Sequence, residues 1–264
     1  MSIWHITIAV TDRHPWFGDQ AGLLGAVRAL VCAVGKWALM FCIVDEHIHL
    51  VVMCDRERAG RIAQATALAV RPFVGDSGLE PARIRPVNGN NHLDNLVAYV
   101  VRQPAKHGVN GHPALWGGSC FLDLVGARVI DGFDPKRIAV AYPRYRVGRL
   151  SDEVGLTSAS VAPVGLDAVH RLGLARLIEA TAAAHAVPDL SSRTRQVTEV
   201  RAAAAHLGLE AGSRATDVAA ALGVHRAQIG RWTRHRREDI ALATRVRLAL
   251  EEAVRVADAR RGAR

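Results

Sequence analysis

Two histidines one residue apart, His47 and His49 in Asp45-Glu46-His47-Ile48-His49-Leu50-Val51-Val52, carry the most readable chemistry in this chain. Side chains on a strand alternate between faces, so His47 and His49 project together while Ile48 and Leu50 project the other way. Two imidazoles placed side by side suit a divalent metal. Farther along comes Leu96-Val97-Ala98-Tyr99-Val100-Val101-Arg102-Gln103-Pro104. Tyr99 and Gln103 are four apart and share a face if the segment is helical. A cation beside a tyrosine hydroxyl suits phosphodiester transesterification. Each part also has a plainer reading. A His-x-His string alone is more often a buried or surface pair, and Tyr99 alone is an amphipathic-helix residue with its ring on the core.

The elements that must position these residues are set by hydropathy patterning. Ile3 to Val10 alternates as a strand, with Trp4, Ile6, Ile8 and Val10 on one face. Ala21 to Val34 has helical spacing. Trp37 to Val44 is a continuous apolar run, as in a central strand. After the polar break Asp45-Glu46, His47 to Cys54 reads as the next strand. Arg58 to Val70 is helical, Ala82 to Val87 a weak fourth strand, and Asn88-Gly89-Asn90-Asn91 a turn. Leu93 to Arg102 is a helix that Pro104 ends or disturbs. The order strand, helix, strand, strand, helix, strand, helix predicts an α+β, ferredoxin-like layout with an added helix. Asp131 to Ser151, with its Gly, Pro and Arg, reads as a linker. From Val164 the pattern is helical and alanine-rich. The expected division is 1–130, a linker over 131–163, and an all-α domain over 164–264.

The 264 residues suffice for two domains, and 50% of them are hydrophobic, enough for a substantial core. Apolar runs are too short for a membrane helix, and Met1-Ser2-Ile3-Trp4-His5 lacks the pattern of a signal peptide. Cys32, Cys42, Cys54 and Cys120 show no Cys-x-x-Cys pairing and read as buried free thiols. The expected location is the cytoplasm, in association with the nucleoid. Residues 1–135 hold 12 Lys and Arg against 12 Asp and Glu, and residues 136–264 hold 22 against 13, so the whole net charge of +9 lies in the second stretch. A basic half joined to a neutral half suggests a nucleic-acid-binding module attached to something else, or simply a basic surface.

His47-Ile48-His49 matches the HUH pattern of histidine, bulky hydrophobe, histidine. Tyr99-Val100-Val101-Arg102-Gln103-Pro104-Ala105-Lys106-His107-Gly108-Val109 resembles the Tyr-Ile-x-x-Asn-Pro-Val-Lys-x-Gly stretch of single-tyrosine HUH transposases. Pro113-Ala114-Leu115-Trp116-Gly117-Gly118-Ser119 resembles the Trp-Ser-Ser segment that comes next in that family. Residues 1–130 thus resemble the REP-associated tyrosine transposases. The resemblance implies an HUH nuclease domain in which Tyr99 is the nucleophile and His47, His49 and the Gln103 amide oxygen hold magnesium or manganese. Imidazole chemistry alone would also admit zinc. It implies a 5′-phosphotyrosine link and a free 3′-hydroxyl. Two departures stand out: Glu46 replaces the usual Asn before the first histidine, and Gln103 replaces the usual Asn before the proline. Glu46 is read as capping the turn rather than as a further ligand. Arg102, Lys106 and His107 flank the site as contacts to DNA phosphates or as solvated charges. His5 is read as a core histidine.

In the second half, Arg214 to Trp232 reads as a helix-turn-helix, capped by Thr216 or Ser213 and turned at Gly223. Val218, Leu222, Val224, Ile229 and Trp232 would face inward, leaving His225, Arg226, Gln228 and Arg231 for a major groove. The alternative is an ordinary helical hairpin. Ser192-Arg193-Thr194-Arg195-Gln196-Val197 precedes another helix. Together, residues 165–240 resemble the DNA-binding domain of the replication initiator DnaA, which implies backbone and minor-groove contacts from Arg193 and Arg195.

These features predict a metal-dependent enzyme that nicks and transfers single-stranded DNA at hairpin-forming repeats. The C-terminal domain would add duplex binding, and the protein would act as a monomer or homodimer with no membrane partner. The rival from another class is a catalytically silent DNA-binding regulator built on the same scaffold. A rolling-circle initiator shares the chemistry, but the short spacing from the histidines to the tyrosine argues against it.

Overall fold

The computed structural model describes residues 1–12, 17–156, 162–232 and 237–262. The chain forms two compact units, one of residues 1–124 with 130–158, the other of residues 125–129 with 159–264.

The first unit is α+β. Its elements run β1 (Ser2–Ala9), α1 (Gln20–Val34), β2 (Ala38–Val44), β3 (His47–Cys54), α2 (Arg56–Val70), β4 (Arg83–Val87), α3 (Gly89–Lys106), α4 (Phe121–Leu124), α5 (Arg137–Ala141) and α6 (Val147–Glu153). The sheet is antiparallel with the order β2-β3-β1-β4. Thr7 lies opposite His49 and Arg83, and His5 lies opposite Val51 and Arg85. Cross-strand partners share a face, so the register sets His5, Thr7, His47, His49, Arg83 and Arg85 on one side of the sheet. Ile6, Ile8, Ile48 and Leu50 fill the other side and are wholly buried. Helices α1 and α2 pack together and against the sheet, and α3 lies against β2.

Local sequence explains the helix starts. The Asp19 carboxylate accepts from Gly22 N at 2.8 Å, and Asp55 accepts from Arg58 N at 2.7 Å. These caps satisfy orphan donors of the first turns. Strand β2 is buried along its whole length, as its continuous apolar run requires. Its outer side receives residues 118–120. Ile43 N donates to Gly118 O at 2.9 Å, and Cys120 N donates to Phe41 O at 3.0 Å. Trp116 Nε1 donates to Ile43 O at 2.7 Å, which fixes the approach.

Helix α3 is longer at both ends than its apolar pattern suggests. Gly89, Asn90 and Asn91 form its first turn rather than a separate loop, and it continues past Pro104 to Lys106. Proline removes only the one bond its N–H would have made, and both Gln103 and Pro104 are buried. The segment 131–163 is not a plain linker. Ile138 and Tyr142 are buried. The Tyr142 hydroxyl donates to Asp94 of α3, Arg149 pairs with the same carboxylate at 2.9 Å, and the Tyr145 hydroxyl donates to Leu124 O at 3.2 Å. Residues 130–156 therefore belong to the first unit. Positions 157–161 of the expected linker, and residues 263–264 of the basic end, lie outside the described residues.

The described part of the second unit is helical: α7 (Leu166–Leu172), α8 (Leu174–Ala184), α9 (Arg195–Glu210), α10 (Ala215–Ala221), α11 (Arg226–Trp232) and α12 (Glu238–Gly262). Val218, Leu222, Ile229 and Trp232 bury against Ala202, Ala204 and Ala205 of α9. Small side chains on α9 bring the helices close. A Cβ on Gly208 would meet Leu174 Cδ2 at 3.1 Å and Val218 Cγ2 at 3.3 Å. Gly223 turns between α10 and α11 at φ +64°, a conformation open to glycine. Neither Ser213 nor Thr216 caps α10. Arg214 holds the cap position and pairs with Asp217 at 2.8 Å, while Thr216 bonds Asp217.

A Cβ on Gly118 would collide with the Ile43 carbonyl oxygen and lie 2.6 Å from Trp116 Nε1. Gly118→Ala is therefore expected to destabilise the first unit by about 2 kcal/mol, read as a lower urea midpoint for its transition.

Candidate active site

The imidazole face of the sheet meets α3 at Tyr99. The Tyr99 ring lies 5.1 Å from the His49 ring and 6.3 Å from the His5 ring, edge-on to both. His47 and His49 are themselves edge-to-face at 4.6 Å. Gln103, one turn beyond Tyr99, is wholly buried, and its Nε2 donates to Tyr99 O at 3.0 Å. That bond leaves its Oε1 to face the buried His49 ring. The donor set of imidazoles and an amide oxygen fits a divalent cation.

His49 is held by His5. The rings stack at 5.2 Å, and His5 Nε2 lies 3.0 Å from His49 Nδ1. Burial, helped by the neighbouring His47 and His5, pushes His49 down to about 2; the facing Gln103 amide partly offsets this. Burial, then Arg85 and His92, pushes His5 down to about 4. Both rings are thus neutral at pH 7, the form that can ligate a metal.

These groups open onto a cleft of about 340 Å³ that Thr7, Glu46, Arg83, Arg85, Lys106 and His107 also line. Tyr99, at 39% exposure, presents itself to the cleft. Lys106 Nζ stands 5.5 Å from the centre of the Tyr99 ring. Arg102 points elsewhere and pairs with Glu153 of α6. Glu46 does not act simply as a turn cap. Its carboxylate reaches His107 Nδ1 at 3.4 Å and His47 Nδ1 at 3.9 Å. His5 is a partner of the site rather than a core residue.

Sequence spacing alone does not single out Arg83 and Arg85 as members of the site, whereas His107 lines the cleft as its place beside Lys106 implies. The Arg-x-Arg period in the weak fourth strand is a usable signal for the first two, because alternate residues share a face and β4 pairs with β1. In the second unit, Arg193, Arg195, His225, Arg226 and Arg231 are exposed and Gln228 is half-buried. Arg195 pairs with Glu199 at 2.9 Å, and His225 Nδ1 accepts from Ala227 N at 3.2 Å, so these two are partly engaged within the unit.

No family model matches the sequence, and no curated protein matches it. Among solved structures, a REP-associated tyrosine transposase bound to a REP hairpin matches at 16% identity, covering 55% of this chain and 83% of that one, with a TM-score of 0.36. A likeness of that size assigns neither fold nor activity. No helix among the described residues is long and apolar enough to cross a membrane.

Because the unfolded chain protonates His5 and His49 near pH 6.5 and the folded metal-free protein resists, the folded state binds fewer protons below that pH. Stability of the metal-free first unit should fall as pH drops from 6.5 toward 4. The slope would reach about 1.4 kcal/mol per pH unit for each ring. Urea unfolding from pH 7 to pH 4 measures it, and a flat profile contradicts the buried, neutral pair.

Proposed function

We propose that the first unit is a metal-dependent, single-strand DNA nicking and strand-transfer enzyme of HUH type, with Tyr99 as nucleophile. The observation that carries this reading is the convergence of a half-exposed phenol on two buried imidazoles and a buried amide, a donor set that suits a divalent cation. His47, His49 and Gln103 Oε1 would hold the cation. Magnesium or manganese bound there would supply positive charge to polarise the scissile phosphate.

The chain's own groups account for the remaining chemistry. Free tyrosine titrates near 10, so a phenol nucleophile needs charge stabilisation at phosphorus. Tyr99 Oη forms a bond to phosphorus as the bond to the 3′ oxygen breaks. The phenol loses a proton and the leaving oxygen gains one, giving a 5′-phosphotyrosine and a free 3′-hydroxyl. Reversal rejoins the strand without ATP. For His49 to ligate through Nε2, its proton must sit on Nδ1, a tautomer in which it would donate to His5 Nε2 across the 3.0 Å contact. His5 is thus a positioning residue. Arg83, Arg85 and Lys106 line the cleft as contacts for strand phosphates.

The motif resemblance points to hairpin-forming repeats as substrate. The charge, the α10–α11 pair and the basic residues Arg193, Arg195, His225, Arg226 and Arg231, with Gln228, support DNA binding by the second unit.

Incubation with labelled hairpin oligonucleotides and manganese should give a covalent adduct that Tyr99→Phe abolishes. Absence of an adduct on every genomic repeat tried, with metal bound and DNA retained, would leave the regulator reading instead. His5→Phe should weaken manganese binding by about 10- to 100-fold in calorimetry while the protein stays folded. The pair Arg83→Ala and Arg85→Ala should flatten the salt dependence of single-strand affinity by about 0.7 log unit per arginine.

A further inference from the structure

The cleft holds a second set of ligand-type groups beyond the proposed nicking centre. Glu46 Oε1, His47 and His107 offer one ligand atom each, all within 4.8 Å of one another. Glu46 Oε1 lies 3.4 Å from His107 Nδ1 and 3.9 Å from His47 Nδ1, and the two imidazole rings are 4.6 Å apart. Ligands about 2.0–2.1 Å from a tetrahedral ion stand roughly 3.4 Å from each other, so the observed spacings need little adjustment. Three different stretches supply the groups: the tight β2–β3 turn, the start of β3, and the residue that ends α3. None of this geometry requires His49 or Gln103.

We propose that Glu46, His47 and His107 form a divalent transition-metal site of zinc type, separate in its ligands from the buried His49–Gln103 pair. Two imidazoles and a carboxylate are a donor set that zinc and cobalt take readily. The carboxylate adds a negative charge that the His47–His49–Gln103 set lacks. Three protein ligands leave a fourth position open toward the cleft. His47 belongs to both sets, so the two sites compete for one imidazole.

Titration of full-length, chelator-stripped protein with cobalt, followed by the visible absorption of the tetrahedral ion, tests the proposal without any DNA. The wild type is expected to bind cobalt and to release it to zinc. Glu46→Gln and His107→Ala should each weaken the binding read by the tetrahedral cobalt band at least about tenfold. His107→Cys should restore binding and add a sulfur-to-cobalt charge-transfer band absent from the wild type, a result that a merely misfolded variant cannot give. A tetrahedral cobalt band whose affinity is unchanged in both Glu46→Gln and His107→Ala overturns the outer site. The tyrosine adduct is not a readout, so a failure of strand cleavage would leave this result standing.

Discussion

The site rests on a cost: neutral imidazoles and an amide oxygen buried at the face of a sheet where apolar side chains would pack more favourably. His49 is 3% exposed and Gln103 is fully buried, so their polar atoms depend on each other and on the few groups around them. Burying such groups unpaired costs about 1–3 kcal/mol each. The surrounding structure is arranged to keep them there. His5 supports one side of His49, Tyr99 packs on its edge, and Gln103 is tethered through its own amide to the Tyr99 carbonyl. The antiparallel register sets the polar residues of β1, β3 and β4 on one surface, while Ile6, Ile8, Ile48 and Leu50 provide the burial on the other.

Helix α3 links this face to the rest of the unit. One side of it carries Tyr99 and Gln103, and another carries Asp94 and Arg102, which bind Tyr142, Arg149 and Glu153. The residues after α4 thus hold the helix that carries Tyr99 from behind. The second unit is held together differently. Its core is built of alanines and a few anchors such as Leu222, Ile229 and Trp232, and its arginines remain at the surface or in local pairs.

Much of the fold is legible in the sequence because its signals are local. Strand β3 runs from His47 to Cys54 as its alternation implies, and β2 matches its apolar run. The start of α3 is hidden because Gly89, Asn90 and Asn91 are turn formers whose helical state depends on the apolar residues C-terminal to them. Residues 131–156 read as a linker on their Gly, Pro and Arg content, while Ile138, Tyr142 and Tyr145 carry the opposite signal as anchors. At the site, Tyr99, Gln103 and the histidine pair are visible through spacing. The pairing of His107 with Glu46 is not, because only the end of α3 folding back beside the β2–β3 turn brings them together. Arg102 shows the converse: it adjoins the site in sequence, but the structure directs it toward Glu153.

The two flanks of the sheet have a bearing on self-association. The open N–H and C=O groups of β2 are taken up by residues 118–120, and the opposite flank, β4, carries Arg83, Arg85 and Pro86 on a strand of five residues. Like charges and a missing donor there discourage pairing with a neighbour's strand. Copies of this protein are therefore guarded against joining into a continuous intermolecular sheet, and the aggregation route most open to a small antiparallel sheet is closed from both sides.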